Sequence, residues 1–106
     1  METEFYGVSK NYINIKDLAK TLSDMYSYGV IKYALIVCEK SYNNNCHHHF
    51  YIIFKGFVKL ERLEYLLGKK LLLFDINNSF EKIRKYMLRE DDALTFEIGF
   101  RNEDEI

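Results

Sequence analysis

Histidines and one glutamate are the residues best suited by type and spacing to bind a metal ion. His47, His48 and His49 directly precede an aromatic and β-branched run that predicts a buried strand. Side chains alternate along a strand, so we expect His47 and His49 on one face and His48 on the other. Antiparallel pairing with the preceding strand would put Val37 opposite His49 and Glu39 opposite His47. The spacing therefore predicts a site of two imidazoles and one carboxylate, which a one-residue slip in register would break up.

A tyrosine in a basic stretch near the carboxyl end is the second candidate for chemistry. The stretch contains three apolar residues at helical spacing, which predict the buried side of a helix: Phe80, Ile83 and Met87. Tyr86 then falls on a flank with Lys82, Lys85 and Arg89. The simpler interpretation is a tyrosine at the edge of the core with its hydroxyl in water. The alternative is a nucleophile whose phenolate is stabilised by cations and attacks phosphorus.

Composition and charge are those of one small domain with a basic middle. The chain has 106 residues, a net charge of −1, 48% hydrophobic residues and no proline or tryptophan. Residues 31–89 contain eleven Lys and Arg against five Asp and Glu. This part could therefore bind a nucleic-acid phosphate backbone, although the net charge of the whole chain is negative. We expect a domain over residues 1–101 and a solvated acidic tail over 102–106.

The pattern of apolar residues predicts the element order β-α-β-β-α-β-α-β. Strands are expected at 3–8, 31–39, 47–56, 70–76 and 94–100. Helices are expected from the N-cap Asn14 to about Tyr26, over 58–67 with Leu60, Leu63 and Leu67 inward, and after the N-cap Ser79. This order favours an α+β domain with a ferredoxin-like arrangement, in which helices flank a five-stranded antiparallel sheet.

No apolar run is long enough to span a membrane, and no secretory leader is evident. We therefore expect a protein without membrane partners. The two cysteines, Cys38 and Cys46, are then expected to be free thiols of an intracellular protein.

Taken together, three motifs resemble the layout of HUH endonucleases. They are Glu39, the triplet His47-His48-His49 with its apolar strand and Gly56, and the helix around Tyr86. The similarity is to the catalytic domain of rolling-circle replication initiator (Rep) proteins of geminiviruses and related circular single-stranded DNA viruses and plasmids, and it covers about residues 31–99. Two positions differ from the family pattern: His48 replaces a hydrophobic residue, and Arg89 replaces a lysine.

This resemblance implies a nickase that also joins strands. Glu39, His47 and His49 would bind Mg²⁺ or Mn²⁺. Tyr86 would cut one DNA strand and remain bonded to the new 5′ end, with Arg89 assisting catalysis. The family resemblance also implies contacts with single-stranded DNA at a replication origin, for which four lysines are candidates: Lys10, Lys55, Lys82 and Lys85.

The partners and location that the resemblance implies depend on the replicon. A helicase of the host or virus would unwind the DNA, and a homo-oligomer is compatible with this role. The protein would act in the nucleus or the cytoplasm of the host cell.

Two other kinds of protein would fit part of the pattern. A non-catalytic ferredoxin-like module could bind single-stranded nucleic acid through its aromatic and basic residues, without needing the histidine pair. A zinc hydrolase or iron oxygenase could use two histidines and a carboxylate, without needing Tyr86 on a basic helix.

Overall fold

The computed structural model describes residues 1–39, 45–89 and 92–100, apart from the side chains of Asn45 and Cys46. Most of the expected Asn-rich connection and the whole expected acidic tail lie outside these residues. Five strands and three helices follow the predicted order. The strands are β1 (Thr3–Asn14), β2 (Ile31–Cys38), β3 (Asn45–Phe54), β4 (Leu71–Leu73) and β5 (Leu94–Gly99), and the helices are α1 (Ile15–Ser27), α2 (Leu60–Leu67) and α3 (Phe80–Met87).

The strands form one open antiparallel sheet in the order β4-β1-β3-β2-β5. This arrangement confirms the predicted α+β fold, with a five-stranded sheet consistent with a ferredoxin-like architecture. The most apolar strands, β2 and β3, are interior strands of the sheet. Because interior strands are covered on both faces, their sequences are almost continuously apolar.

Helix boundaries follow from local capping chemistry. Asn14 Oδ1 accepts hydrogen bonds from the backbone N–H groups of Lys16 and Asp17, so α1 begins where predicted. The Ser79 hydroxyl accepts one from the Lys82 N–H at the start of α3. Gly68 ends α2 with φ at +89°, a conformation that side-chain-bearing residues rarely adopt.

The two faces of the sheet carry separate apolar clusters. Helices α1 and α2 pack on one face, where Leu22, Leu63 and Leu67 are fully buried against residues such as Phe50 and Ile52. Helix α3 packs on the other face, and its buried residues are the three predicted ones: Phe80, Ile83 and Met87. The opposite face of α3 is therefore left for solvent or a ligand.

Strand β1 is longer than predicted. Gly7 was expected to end it, but the strand continues to Asn14, with a shift in register between Ser9 and Ile13. A Cβ atom at position 7 would collide with the backbone carbonyl of Leu72. Gly7 therefore allows β4 to approach β1 closely instead of breaking the strand.

Three smaller expectations are wrong. The strand predicted over 70–76 has three residues, because it lies at the sheet edge and receives hydrogen bonds from one neighbour. Leu60 is 40% exposed, since it begins α2 away from the core. Cys38 is disulfide-bonded, whereas a free thiol was expected because an intracellular location was assumed. The antiparallel pairing of β2 and β3 brings the end of β2 close to the start of β3, which allows such a bond.

Within the described ranges, no helix is both long enough and apolar enough to cross a membrane.

Candidate functional site

Glu39 and His49 are in direct contact at one end of the sheet. His49 lies opposite Val37, as predicted, in the pairing of β2 and β3. Glu39 follows β2 by one residue, and its Oε1 lies 2.8 Å from His49 Nε2. The His49 side chain is 20% exposed and that of Glu39 is 56% exposed. The two side chains therefore meet at the surface, where a ligand could reach both of them.

His47 lines the same pocket but makes a different contact. Its ring stacks on Tyr12 of β1, with the ring centroids 4.0 Å apart and the planes tilted by 38°. Tyr12 is 69% exposed. The longer β1 makes this contact, because the residues after Gly7 continue alongside the start of β3. His47 thus shares the pocket with the Glu39–His49 pair, while its ring packs on Tyr12.

The pocket at this end of the sheet has a volume of about 320 Å³. It is lined by residues of β1, by residues of β3 and by the glutamate that follows β2: Val8, Lys10, Glu39, His47, His48 and His49. These residues include a carboxylate, imidazoles and an ammonium group. Within the part of the chain that the structure describes, no three His, Cys, Asp or Glu side chains lie close enough together to hold a metal ion. The sequence-predicted ligands are therefore brought to one pocket, with two of the three in contact.

His48 points to the opposite face, as strand alternation predicts. It is 1% exposed and lies opposite Cys38 on β2 and Ser9 on β1. Its ring is 6.1 Å from that of Phe50. His48 is therefore a buried residue of the sheet, unlike the exposed His47.

Tyr86 lies on the outer side of α3 and is 51% exposed. The Arg89 guanidinium carbon lies 3.9 Å from the centre of the Tyr86 ring, a cation–π contact. Arg89 also donates a hydrogen bond of 2.8 Å to the Tyr86 backbone carbonyl. The cation thus covers the ring face and fixes the end of the helix.

Tyr86 faces a second pocket of about 440 Å³ between α3 and β1. The pocket is lined by aromatic, polar and basic side chains: Tyr6, Phe74, Asp75, Asn78, Lys82, Ile83 and Tyr86. Burial raises the pKa of the Tyr6 phenol, and the neighbouring Tyr86 raises it further, while Arg89 opposes the effect. Tyr6 and Tyr86 therefore lie close enough for an electrostatic interaction between their side chains.

The two pockets lie side by side on the same face of the sheet. Tyr6 is paired with Tyr51 and lines the tyrosine pocket, whereas Val8 is paired with His49 and lines the histidine pocket. Tyr6 and Val8 are two residues apart on β1, or roughly 7 Å along the strand. The face that carries α3 is therefore also the face that presents Glu39 and His49.

A partly exposed charge network joins α3 to β5 on this face. Arg84 donates two hydrogen bonds to Glu97 of β5, from Nε at 2.6 Å and from a terminal nitrogen at 2.9 Å. The buried Tyr33 hydroxyl donates a third, at 2.5 Å. The hydrogen bonds from Arg84 are the main cause of the lowered pKa of Glu97, and burial opposes them. This bidentate pair ties the helix that carries Tyr86 to the edge strand β5.

The four candidate lysines are distributed unevenly. Lys10 lines the histidine pocket and Lys82 lines the tyrosine pocket, whereas Lys85 is exposed on α3 and lines neither. Lys55 follows the last residue of β3, eight positions from His47, and so lies roughly 26 Å away along the strand. The structure therefore places Lys10 and Lys82 beside the candidate site and Lys55 at the far end of the sheet.

Several residues of this face were missed in the sequence. Tyr6 shares a face with Val8 by strand alternation, but its place beside the histidines depends on the pairing of β1 with β3, which was not predicted from the sequence. Tyr12 was missed because the strand was expected to end before it. The Arg84–Glu97 pair depends on how α3 lies across the sheet, which local periodicity does not specify.

Comparison with known proteins adds no relative to this description: no family model matches the sequence, and a search of curated proteins finds no match.

Proposed function

We propose that the protein is a metal-dependent endonuclease that nicks and rejoins single-stranded DNA, initiating rolling-circle replication through a bond to Tyr86. The observation that carries this proposal is the position of two features on one face of the sheet. These are the contact between Glu39 and His49 and the exposed tyrosine of α3. A nucleophile and a polar ligand set must share one face to act on one phosphate.

The donor set suits a divalent ion. The 2.8 Å separation of the Glu39 oxygen and the His49 nitrogen is close to the spacing of adjacent ligands on one ion. His47 would complete the set by turning away from Tyr12, which its exposed position allows. A bound Mg²⁺ or Mn²⁺ would polarise the scissile phosphate and offset its developing charge. Imidazole nitrogen favours Mn²⁺ over Mg²⁺, which prefers oxygen ligands.

Tyr86 would supply the nucleophile. Its phenolic oxygen forms a bond to phosphorus as the bond from phosphorus to the 3′ oxygen breaks, and the phenolic proton leaves to solvent or a nearby base. The products are a 5′-phosphotyrosine and a free 3′ hydroxyl. The reverse reaction can rejoin the strand, because the phosphotyrosine ester retains the free energy of the phosphodiester bond that was broken. Arg89 stays on the ring face, where its guanidinium group can contact a phosphate oxygen of the bound strand.

The surface between the two pockets suits an unpaired strand. Tyr6 and Phe74 present rings on which bases can stack, with their centroids 5.2 Å apart in an edge-to-face arrangement. Lys82 and Lys10 provide one ammonium group at each pocket for phosphate contact. A strand running along β1 would therefore meet both pockets in succession.

A non-catalytic module that binds single-stranded nucleic acid is the second candidate. The stacking of His47 on Tyr12 favours it, because the two rings form an exposed aromatic surface that needs no metal. The two proposals differ in what the histidines do. In the module they contact bases, whereas in the nickase they bind the metal.

A cleavage assay on single-stranded oligonucleotides separates the two functions. We expect wild-type protein with Mn²⁺ to cut members of a labelled random pool, and the His47→Ala/His49→Ala variant to bind DNA without cutting it. Lys20→Ala on the exposed side of α1 is the matched control and should cut normally. Full cutting by the double histidine variant would contradict the metal site. Binding that persists in chelator, with no cutting under any metal, would favour the module.

A further inference from the structure

Strand β4 forms an open, apolar edge of the sheet. It pairs with β1 on one side, and no described strand pairs with it on the other. Four large apolar residues in this segment are exposed by 36 to 51%: Leu72, Leu73, Phe74 and Ile76. Proteins usually protect such an edge with charges, proline or a bulge, because it can pair with another strand. The run Leu71–Phe74 has none of these charges or prolines.

The direction of the backbone N–H and carbonyl groups shows which residues of β4 can pair with a further strand. Phe74 N–H donates to the Tyr6 carbonyl, and Lys10 N–H donates to the Lys70 carbonyl, both at 2.8 Å. Hydrogen-bonding direction alternates along an antiparallel strand, so Lys70, Leu72 and Phe74 direct their groups toward β1. Leu73 therefore directs its N–H and carbonyl outward. The Leu71 carbonyl also points outward, while its N–H bonds to the Lys69 carbonyl at 2.9 Å.

The sequence of this edge is complementary to itself. An antiparallel copy centred on Leu72 pairs Leu71 with Leu73 of the other chain, so each Leu73 N–H meets a Leu71 carbonyl. The same register brings Lys69 of one copy beside Asp75 of the other, at both ends of the pairing. The apolar centre and the two opposite-charge contacts specify one occupant, a second copy of this chain.

We propose that the protein forms a two-fold dimer by antiparallel pairing of β4 with β4 of a second copy. The two sheets then join into one sheet of ten strands. The two-fold axis is perpendicular to that sheet, so both histidine pockets and both Tyr86 side chains face the same side. The dimer does not depend on the proposed nickase activity. A short edge buries little area, so we expect its assembly to depend on concentration.

Sedimentation velocity of the full chain tests the dimer. We expect the mass to rise from 12.7 kDa toward twice that value over a roughly hundredfold range of concentration. Leu72→Lys places like charges opposite each other at the centre and should weaken association by at least about tenfold. Tyr65→Lys, at an even more exposed apolar residue on α2, is the control and should dimerise normally. Circular dichroism verifies that both variants are folded.

Two further variants test the register. Leu72→Cys should form a disulfide-linked dimer on mild oxidation, because facing residues of this type lie about 4.5 Å apart between Cα atoms. Tyr65→Cys is its control and should not. Lys69→Glu should weaken the dimer, and adding Asp75→Lys should restore it. A monomer at every concentration, or a dimer that Leu72→Lys does not weaken, would overturn the proposal. Either result leaves the cleavage assay unaffected.

Discussion

Removing the carboxylate of Glu97 should destabilise the domain by loosening α3. Arg84 loses two charge-assisted hydrogen bonds in Glu97→Ala, and both side chains are about one-third exposed, so we discount these bonds to about 1–2 kcal/mol. Tyr33, which is 1% exposed, also loses its acceptor, at a further cost of about 1–2 kcal/mol. The expected loss of unfolding free energy is about 2–4 kcal/mol.

This loss is large enough to measure by thermal unfolding. For a domain of this size, about 2–4 kcal/mol lowers the Tm by roughly 10–20 °C. Tyr33→Phe removes one hydroxyl and leaves the Arg84–Glu97 pair intact, so it should cost about 1 kcal/mol. Asp24→Ala is the matched control, because Lys20 and Asp24 form an exposed pair on α1 and should contribute less than about 0.5 kcal/mol.

The same network predicts a pH dependence with a definite sign. The pKa of Glu97 is lowered in the folded protein, mainly by Arg84, so its contribution is complete above the ordinary carboxyl pKa of about 4.3. That contribution is lost as the pH falls through the folded-state pKa. The pKa of Tyr33 is raised, first by burial and then by Glu97, so stability also falls as the pH rises above about 10. If Glu97→Ala unfolds with the Tm and acid profile of Asp24→Ala, the network has no structural role.

Two other substitutions test how the elements begin and end. Asn14→Ala removes the acceptor of two N–H groups at the start of α1 and should cost about 1 kcal/mol in urea unfolding, while Asn14→Asp should retain most of the stability. Gly68→Ala should cost about 1–3 kcal/mol, because the backbone there has φ at +89° and a Cβ atom would collide with Asn11. Gly56→Ala, which adds a Cβ atom in open space, is its control; equal losses for the two glycine variants would refute this argument.

The sequence predicted the parts of the fold that depend on local patterns. The N-caps Asn14 and Ser79, the apolar stripe of α3 and the register that sets Val37 against His49 are confirmed. Each follows from a short-range period or a capping residue. The length of β1 could not be predicted in this way, because Gly7 serves the approach of another strand rather than a turn.

The candidate site was predictable in its members and less so in its contacts. Strand alternation placed His47 and His49 on one face, but side-chain rotation decides that His49 meets Glu39 while His47 meets Tyr12. The position of Tyr86 relative to the histidines depends on how α3 crosses the sheet. That crossing depends on contacts between distant parts of the chain, such as the hydrogen bonds of Arg84 with Glu97, thirteen residues away.

Covalent capture of DNA by Tyr86 tests the central claim most directly. Wild-type protein and Tyr86→Phe are incubated with Mn²⁺ and single-stranded oligonucleotides of random sequence, boiled in detergent, separated by gel and analysed by peptide mass spectrometry. We expect a slower band for wild-type protein, a nucleotide adduct on the peptide that contains Tyr86, and no band for Tyr86→Phe. An adduct on another residue such as Tyr6, or a band that persists in Tyr86→Phe, would contradict the assignment of the nucleophile. No band with any metal would contradict the nickase.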